Sequence, residues 1–187
     1  NVIYSISGNA FNFYTTGAGY HYIYNNTIYD YDSGGGGNPA IYLRDDVSST
    51  VVAINNIVVA AHASAGAAFE IQTGATGGFD ASSNYNLTSD TTAPGAQSLQ
   101  SQTMDNCAFN NYTSGDFRLT AGSTARNAGV PGVGGSDIVG SLRRHDGGWD
   151  IGAHEYIGAP DTTVPESVKL IRASNQISAI ARSSNTV

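Results

Sequence analysis

A single cysteine, a single methionine, a single tryptophan and a single lysine are spread over 187 residues, and these scarcities exclude whole classes of protein. With Cys107 alone, neither an internal disulfide nor a thiolate metal cluster can form. No apolar run approaches the roughly 20 residues of a membrane span, and no stretch of about ten residues before the tail has a helical apolar period. The chain opens at Asn1, with no methionine and no leader-like segment, so the expectation is a processed or incomplete piece of a longer protein. Basic side chains are scarce too: eight Lys and Arg face fifteen Asp and Glu, a formal net charge of −7. The excess lies wholly in residues 1–114, where Arg44 stands against eight acidic side chains. Such a surface repels phosphate backbones, which argues against nucleic acid as a partner. It also repels polyuronates unless calcium bridges the two. Neutral glycans, cations and neighbouring protein subunits remain.

What is abundant is glycine, at 23 residues, tyrosine, at 11, and many Asn, Ser and Thr, the composition of a turn-rich chain. Asn25-Asn26 precedes Thr27-Ile28-Tyr29, and 30 positions later Asn55-Asn56 precedes Ile57-Val58-Val59; Asn84-Tyr85-Asn86-Leu87 lies about one more period on. A recurrence of that length marks stacked repeats, each burying its apolar face against its neighbours. Strand-length runs at 40–43, 51–54 and 67–71, bounded by Gly, Asn, Ser or Asp, make the fold all-β. A corner between parallel strands needs positive φ at one residue, which Asn tolerates, and stacked Asn side chains can pass hydrogen bonds along the stack. Asn25, Asn26, Asn55 and Asn56 are therefore read as corner residues, with Asn26 above Asn56 and with Ile28, Ile57 and Leu87 stacked in successive repeats. The sequon at Asn25 is discounted for the same reason. Asn86-Leu87-Thr88 and Asn111-Tyr112-Thr113 are the better glycan acceptors in a eukaryotic host.

From Asp116 the chain reads DFRLTAGSTARNAG, then DIVGSLRR, then WDIGAHEY. Asp116 to Leu119, then Gly122, Ser123, Ala125, Asn127 and Gly129, then Asp137 and Gly140, Arg143 or Arg144, and the run 150–156 follow a recognisable order. The block resembles the terminal segment of bacterial right-handed parallel β-helix proteins of the pectate-lyase-like superfamily, a segment called choice-of-anchor Q. It departs at Thr124, where that family usually has proline. The resemblance implies an all-β right-handed parallel β-helix, a solenoid with coils over 1–115, a C-terminal cap over 116–157, and a linker with an extended docking tail, or the start of a following domain, over 158–187. It says little about activity, since β-helices host lyases, hydrolases, epimerases, adhesins and phage tailspikes alike.

Four sets of side chains are candidates for function. Arg44-Asp45-Asp46 falls at a turn after a strand-like run. In pectate lyases, which the fold resembles, an arginine acts as base and acidic residues hold calcium; in the related polygalacturonases, paired aspartates act as acid and base. Arg44, Asp45 and Asp46 are thus the catalytic candidates, set against a solvated turn, since adjacent residues of an extended chain point to opposite faces. Asp30 and Asp32 share one face of an extended segment and run into four glycines, a candidate calcium half-site that lacks the spacing of the known calcium loops. Tyr20, Tyr22 and Tyr24 alternate on one face and form a candidate glycan-binding row, against the plainer reading that they merely cover the repeat. His21, on the opposite face, is read as structural. In the terminal block Asp137, Arg143, Arg144, Asp150, His154 and Glu155 crowd together, and the expectation is structural: an ion pair between Asp150 and Arg143 or Arg144 in a cap that blunts open strand edges.

Pro160 and Pro165 mark an extended linker, beyond which 168–172 and 177–181 are two short apolar runs. They suit a hairpin of a following domain, or strands that add to a neighbouring subunit and build a homo-oligomer through 166–187. The function expected from all this is a non-catalytic structural or glycan-binding module of a surface-exposed protein. The setting would be extracellular, at a cell or virion surface, as in a bacterial adhesin or a phage fibre or decoration protein. The alternative is the C-terminal part of a polysaccharide lyase or glycoside hydrolase.

Overall fold

The computed structural model describes residues 1–14, 18–44, 48–158, 168–173 and 176–181, in two compact units, Asn1–Ile157 and Gly158–Val187. In the first unit short β-rich runs form the strands of the repeat: β1 (Val2–Tyr4), β2 (Phe11–Phe13), β3 (Tyr20–Tyr24), β4 (Thr27–Tyr29), β5 (Ile41–Leu43), β6 (Thr50–Ile54), β7 (Ile57–Val59), β8 (Phe69–Ile71), β9 (Gly78–Phe79) and β10 (Leu87–Thr88). They build three sheets, ordered β1-β4-β7-β10, β2-β5-β8 and β3-β6-β9. Every pairing in them is parallel. The chain visits the three sheets in turn, so Thr27 pairs with Ile57, Phe11 with Ile41 and Tyr20 with Thr50.

The corners leading into the first sheet explain this register. Asn25 and Asn55 hold φ of 55° and 57°, and Tyr85 takes the same left-handed position at 54°. The residue after each is a buried asparagine. The Asn26 amide donates to Asn56 Oδ1 at 2.9 Å, and the Asn56 amide to Asn86 Oδ1 at 2.9 Å. Backbone N–H groups of Asn26 and Asn56 reinforce the same two contacts at 3.1 and 3.0 Å. Asn1 extends the row, its amide reaching Asn26 Oδ1 at 3.0 Å. Asn56 and Asn86 also tie the corner to the third sheet by donating to the carbonyls of Ile23 and Ala53, each at 2.8 Å. Asn26 does lie above Asn56, and Ile57 pairs with Leu87, but Ile28 pairs with Val58. The asparagine sets the count, and Ile28 stands two residues after its asparagine where Ile57 stands one after. Asn86 is fully buried in the ladder, so the sequon that begins there offers no glycan acceptor.

The first sheet is apolar on both faces, as parallel strands buried on two sides are. Ile28 and Val58 point inward to join Ile41, Leu43, Val51 and Phe69. Ile57, Val59 and Leu87 point outward and are covered by the chain from 104 onward, through Phe109, Phe117, Leu119 and Ile151. That covering begins with a four-residue helix, α1 (Met104–Cys107), capped by the Thr103 side chain. A two-stranded antiparallel pair follows, β11 (Phe109–Asn111) and β12 (Asp116–Leu119), and then turns to Ile157. Phe117 packs on Tyr4 and Tyr29 with ring centroids 5.3 and 5.6 Å away. Asn55, still at its corner, exchanges two hydrogen bonds of 2.9 Å with the backbone of Val130. Gly152 comes so close to the sheet that a Cβ there would lie 2.6 Å from Ile57 Cδ1, and its φ of 102° also requires glycine.

At the β8–β10 end of the stack, backbone N–H groups in or beside the strands are met by side chains. Asp90 and Thr92 accept from the backbones of Ala68 and Phe69 at 2.8 and 2.9 Å, Ser89 from Ala60 at 3.0 Å, and Ser98 from Asn86 at 3.0 Å. In the second unit, β13 (Val168–Ala173) and β14 (Gln176–Ala181) form an antiparallel hairpin. Among the described residues no helix is long and apolar enough to cross a membrane.

Two outcomes follow. Asn56→Leu removes a buried side chain that bonds to two rungs and a carbonyl, leaving several polar groups unpaired. At about 1–3 kcal/mol per group, the loss should reach at least about 3 kcal/mol, a fall in Tm of about 6–12 °C for a domain of this size; an unchanged melting curve by circular dichroism would refute the ladder's role. A chain ended at Thr103 leaves the outward side of Ile57, Val59 and Leu87 bare and should aggregate. A chain ended at Ile157 should stay monodisperse, as size-exclusion chromatography of the two will report.

Candidate functional site: an exposed tyrosine row

The candidate glycan-binding row lies on β3. Alternation along this edge strand sends His21 and Ile23 inward, His21 against the Phe13 ring at 5.0 Å. Tyr20, Tyr22 and Tyr24 therefore point outward together. Tyr20 and Tyr22 are 63% and 62% exposed, with ring planes within 17° of parallel and centroids 6.4 Å apart. Tyr24 continues the row, 5.7 Å from Tyr22 and tilted by 55°. Next to them in register are Thr50, Val52 and Ile54, so the floor beside the rings is uncharged. Asp80, the acid that acts on the Tyr24 hydroxyl, accepts from the backbone and hydroxyl of Ser82 at 2.8 and 2.6 Å. Burial first, then Tyr22 and Asp80, holds the Tyr24 hydroxyl above its ordinary pKa, so it stays a neutral donor.

The calcium candidates go elsewhere. Asp32 is fully buried, and its carboxylate accepts from the Asn38 amide at 2.8 Å and from the backbone N–H groups of Gly36, Gly37 and Asn38 at 3.1, 2.7 and 3.0 Å. Those donors, the Asn38 side chain foremost, hold its pKa below the usual range against the effect of burial. A carboxylate ringed by N–H groups has no lone pairs left for a cation, so the glycines that suggested carbonyl ligands supply donors instead. Asp30 accepts from Ser5 Oγ at 3.0 Å and lies 3.2 Å from His62 Nε2. The two aspartates are thus committed to different neighbours and form no joint half-site. Of the catalytic candidates, Arg44 lays its guanidinium over the Tyr14 ring, 4.7 Å from the centroid. Asp45 and Asp46 lie outside the described residues.

The charged groups of the terminal block serve its backbone. Buried Arg143 pairs with buried Glu155 at 3.6 Å and donates to the carbonyls of Asp150 and Gly152 at 3.2 and 2.8 Å. The partner is therefore Glu155, where the sequence suggested Asp150. Asp150 instead accepts from the backbone of Asn127 at 2.7 Å and of Tyr156 at 2.5 Å. Glu155 accepts from the backbones of Arg144 and Asp150, and Asp137 from Val139, Ser141 and Glu155. Asp146, Asp150 and Glu155 are the one group of three potential metal ligands among the described residues, with ligand atoms within 4.8 Å of one another. Arg126 pairs with Asp146, Arg143 with Glu155, and the Asp150 carboxyl is taken by two backbone N–H groups. His154 keeps its pKa depressed by burial, and burial pushes the Cys107 thiol up to about 12, which leaves it unreactive.

A cleft of about 450 Å³ between the first and second sheets escaped the sequence reading; its walls are Ala60–Ala67 residues with Tyr31, Ser89 and Asp90. Tyr31 donates to the Gly66 carbonyl at 2.9 Å, Asp90 and Ser89 accept backbone N–H groups, and His62, which also lines the cleft, lies 3.2 Å from Asp30. The alanine run at 60–68 was its only sequence signal.

Burial pushes the Asp150 carboxyl up to about 6, opposed by its two N–H bonds. The folded protein thus holds this proton more tightly than the unfolded chain, so the group's contribution is present below about pH 4 and is lost as pH rises through about 6. Compared with Asp150→Asn, which cannot ionise, the native chain should lose more stability between pH 4 and pH 7 in urea unfolding. A difference between the two that stays constant across that window would overturn the assignment.

No protein-family model, curated protein or solved structure matches this chain, so the likeness of the 116–156 block to a β-helix terminal segment rests on its own residues.

Proposed function

We propose that the chain is a non-catalytic, glycan-binding module of a right-handed parallel β-helix, displayed outside the cell on a cell or virion surface. The β-helix reading is supported by three parallel sheets visited in rotation and by the asparagine ladder at one corner. The glycan reading is carried by one observation: Tyr20 and Tyr22 stand nearly parallel, mostly exposed, on an uncharged floor. Tyrosine rings combine an apolar face, on which a pyranose ring can lie, with a hydroxyl that hydrogen-bonds at the rim. With a net charge of −7, a neutral polysaccharide fits and a polyuronate does not. A lyase or hydrolase needs an acid and a base facing a groove; among the described residues the clustered carboxylates are spent on backbone N–H groups and arginines.

Affinity electrophoresis through gels containing neutral glucan, mannan or xylan, with pectate as the anionic control, tests the reading. At about 1 kcal/mol per ring, Tyr22→Ala should weaken retardation about fivefold, and Tyr20→Ala with Tyr22→Ala about 25-fold, with the melting temperature unchanged. Retardation by none of these glycans, or retardation that both variants keep, would refute it. Release of new reducing ends by the native chain would establish the hydrolytic or lytic alternative.

A further inference from the structure

We infer that Asp80 gives the tyrosine row its ligand preference: the glycan it takes best carries a free amino group, as a hexosamine does, and the ammonium meets the Asp80 carboxylate. This rests on the glycan reading of the row and adds to it a charged group that shares the same face. Parallel register fixes where that group stands. Tyr22 pairs with Val52, and Val51 with Phe79, so the residue after Phe79 falls beside Val52. The Asp80 N–H donates to the Val51 carbonyl at 2.8 Å, which continues the ladder by that step. Phe79 points inward, where its ring centroid lies 5.4 Å from that of Phe69. Asp80 therefore points outward with Tyr22 and Val52. The three form a file across the third sheet, and two strand spacings put Asp80 about 10 Å from Tyr22. Its charge also acts on the Tyr24 hydroxyl, in keeping with a carboxylate on that face.

The carboxylate is held in place and left without a counter-ion. Ser82 donates its hydroxyl and its N–H to Asp80 Oδ1, and these bonds, the hydroxyl foremost, keep the carboxyl pKa below the usual range. Among the described residues nothing donates to Asp80 Oδ2, and no basic side chain pairs with either oxygen. Other acids differ: Asp116 and Asp146 pair with Arg118 and Arg126, Asp30 lies beside His62, and Asp32 is ringed by N–H groups. A hydroxyl of a neutral sugar gives Asp80 Oδ2 an ordinary hydrogen bond, whereas an ammonium gives a charge-assisted one, roughly twice as strong. The wider field has the same sign, since residues 1–114 hold eight acids against Arg44, whose guanidinium lies over Tyr14. Such a surface draws cations. Stacking and charge then act at two ends of one ligand, a pyranose on Tyr22 and the amino group of a linked sugar at Asp80.

The test is calorimetric titration of the full chain with a glucosamine trisaccharide and with its N-acetylated counterpart, at low and at moderate salt. The amine form should bind about fivefold more tightly, and the margin should shrink as salt rises. Asp80→Asn keeps an acceptor for Ser82 and should remove the margin while leaving the N-acetylated form bound as before. Asp105→Asn makes the same change in net charge at an exposed residue of α1 and should keep the margin. Tyr22→Ala should weaken both forms alike; unchanged affinity there would sink the tyrosine reading, and this inference with it. No margin in the native chain, a margin that survives in Asp80→Asn or that Asp105→Asn removes equally, or binding of neither sugar would overturn the role of Asp80.

Discussion

The rest of the structure depends on the asparagine row, because its buried side chains set the register of the first sheet and tie it to the third. Asn56 accepts from one neighbour, donates to the next and holds the Ile23 carbonyl of another sheet. A shift of one residue in the first sheet would exchange the inward Ile28 and Val58 for the outward Ile57. Both faces of that sheet are apolar, so hydrophobicity alone would not resist such a slip. The buried amides do, since a displaced rung leaves polar groups unpaired at about 1–3 kcal/mol each.

An apolar outward face then creates an obligation that the chain from 104 to 157 meets. Its aromatics pack on Tyr4, Tyr29 and Ile57, and it is anchored at the same corners through Asn55 and Thr27. The charged residues that drew attention in the sequence hold this irregular segment together. With little regular secondary structure after β12, its N–H groups need acceptors, and Asp137, Asp150 and Glu155 provide them.

How much was legible in the sequence follows from which interactions leave a period behind. Asn25, Asn26, Asn55 and Asn56 recur at 30 residues and point directly to corners and ladder. Asn86 was misjudged as an acceptor because Tyr85 holds the left-handed corner that asparagine holds above it, which hides the third rung. Ser83, Ser89, Asp90 and Thr92 carry no period, since bonds from backbone to side chain depend only on where a loop passes. Asp32 misled for a related reason: glycines after an aspartate can offer carbonyls or N–H groups, and the residue pattern is the same for both. Arg143 was correctly read as a structural ion, but which of two nearby carboxylates it meets is a matter of turn geometry.

The contrast between the first and third sheets explains why an exposed aromatic face is available at all. Outward residues of β7 and β10 are Ile57, Val59 and Leu87, which water would penalise, and the following 50-odd residues are used to cover them. Outward residues of β3 are tyrosines, whose amphipathic rings tolerate water, Tyr20 and Tyr22 being mostly exposed. That face can remain uncovered at no comparable cost. The same rings are large, stiff and already aligned by the strand at 6.4 Å, so a ligand that stacks on them loses little in ordering the site. With no charged residue on β3 and none on β6 beside it, the third sheet leaves Tyr20 and Tyr22 exposed and nearly parallel, held in place by the strand.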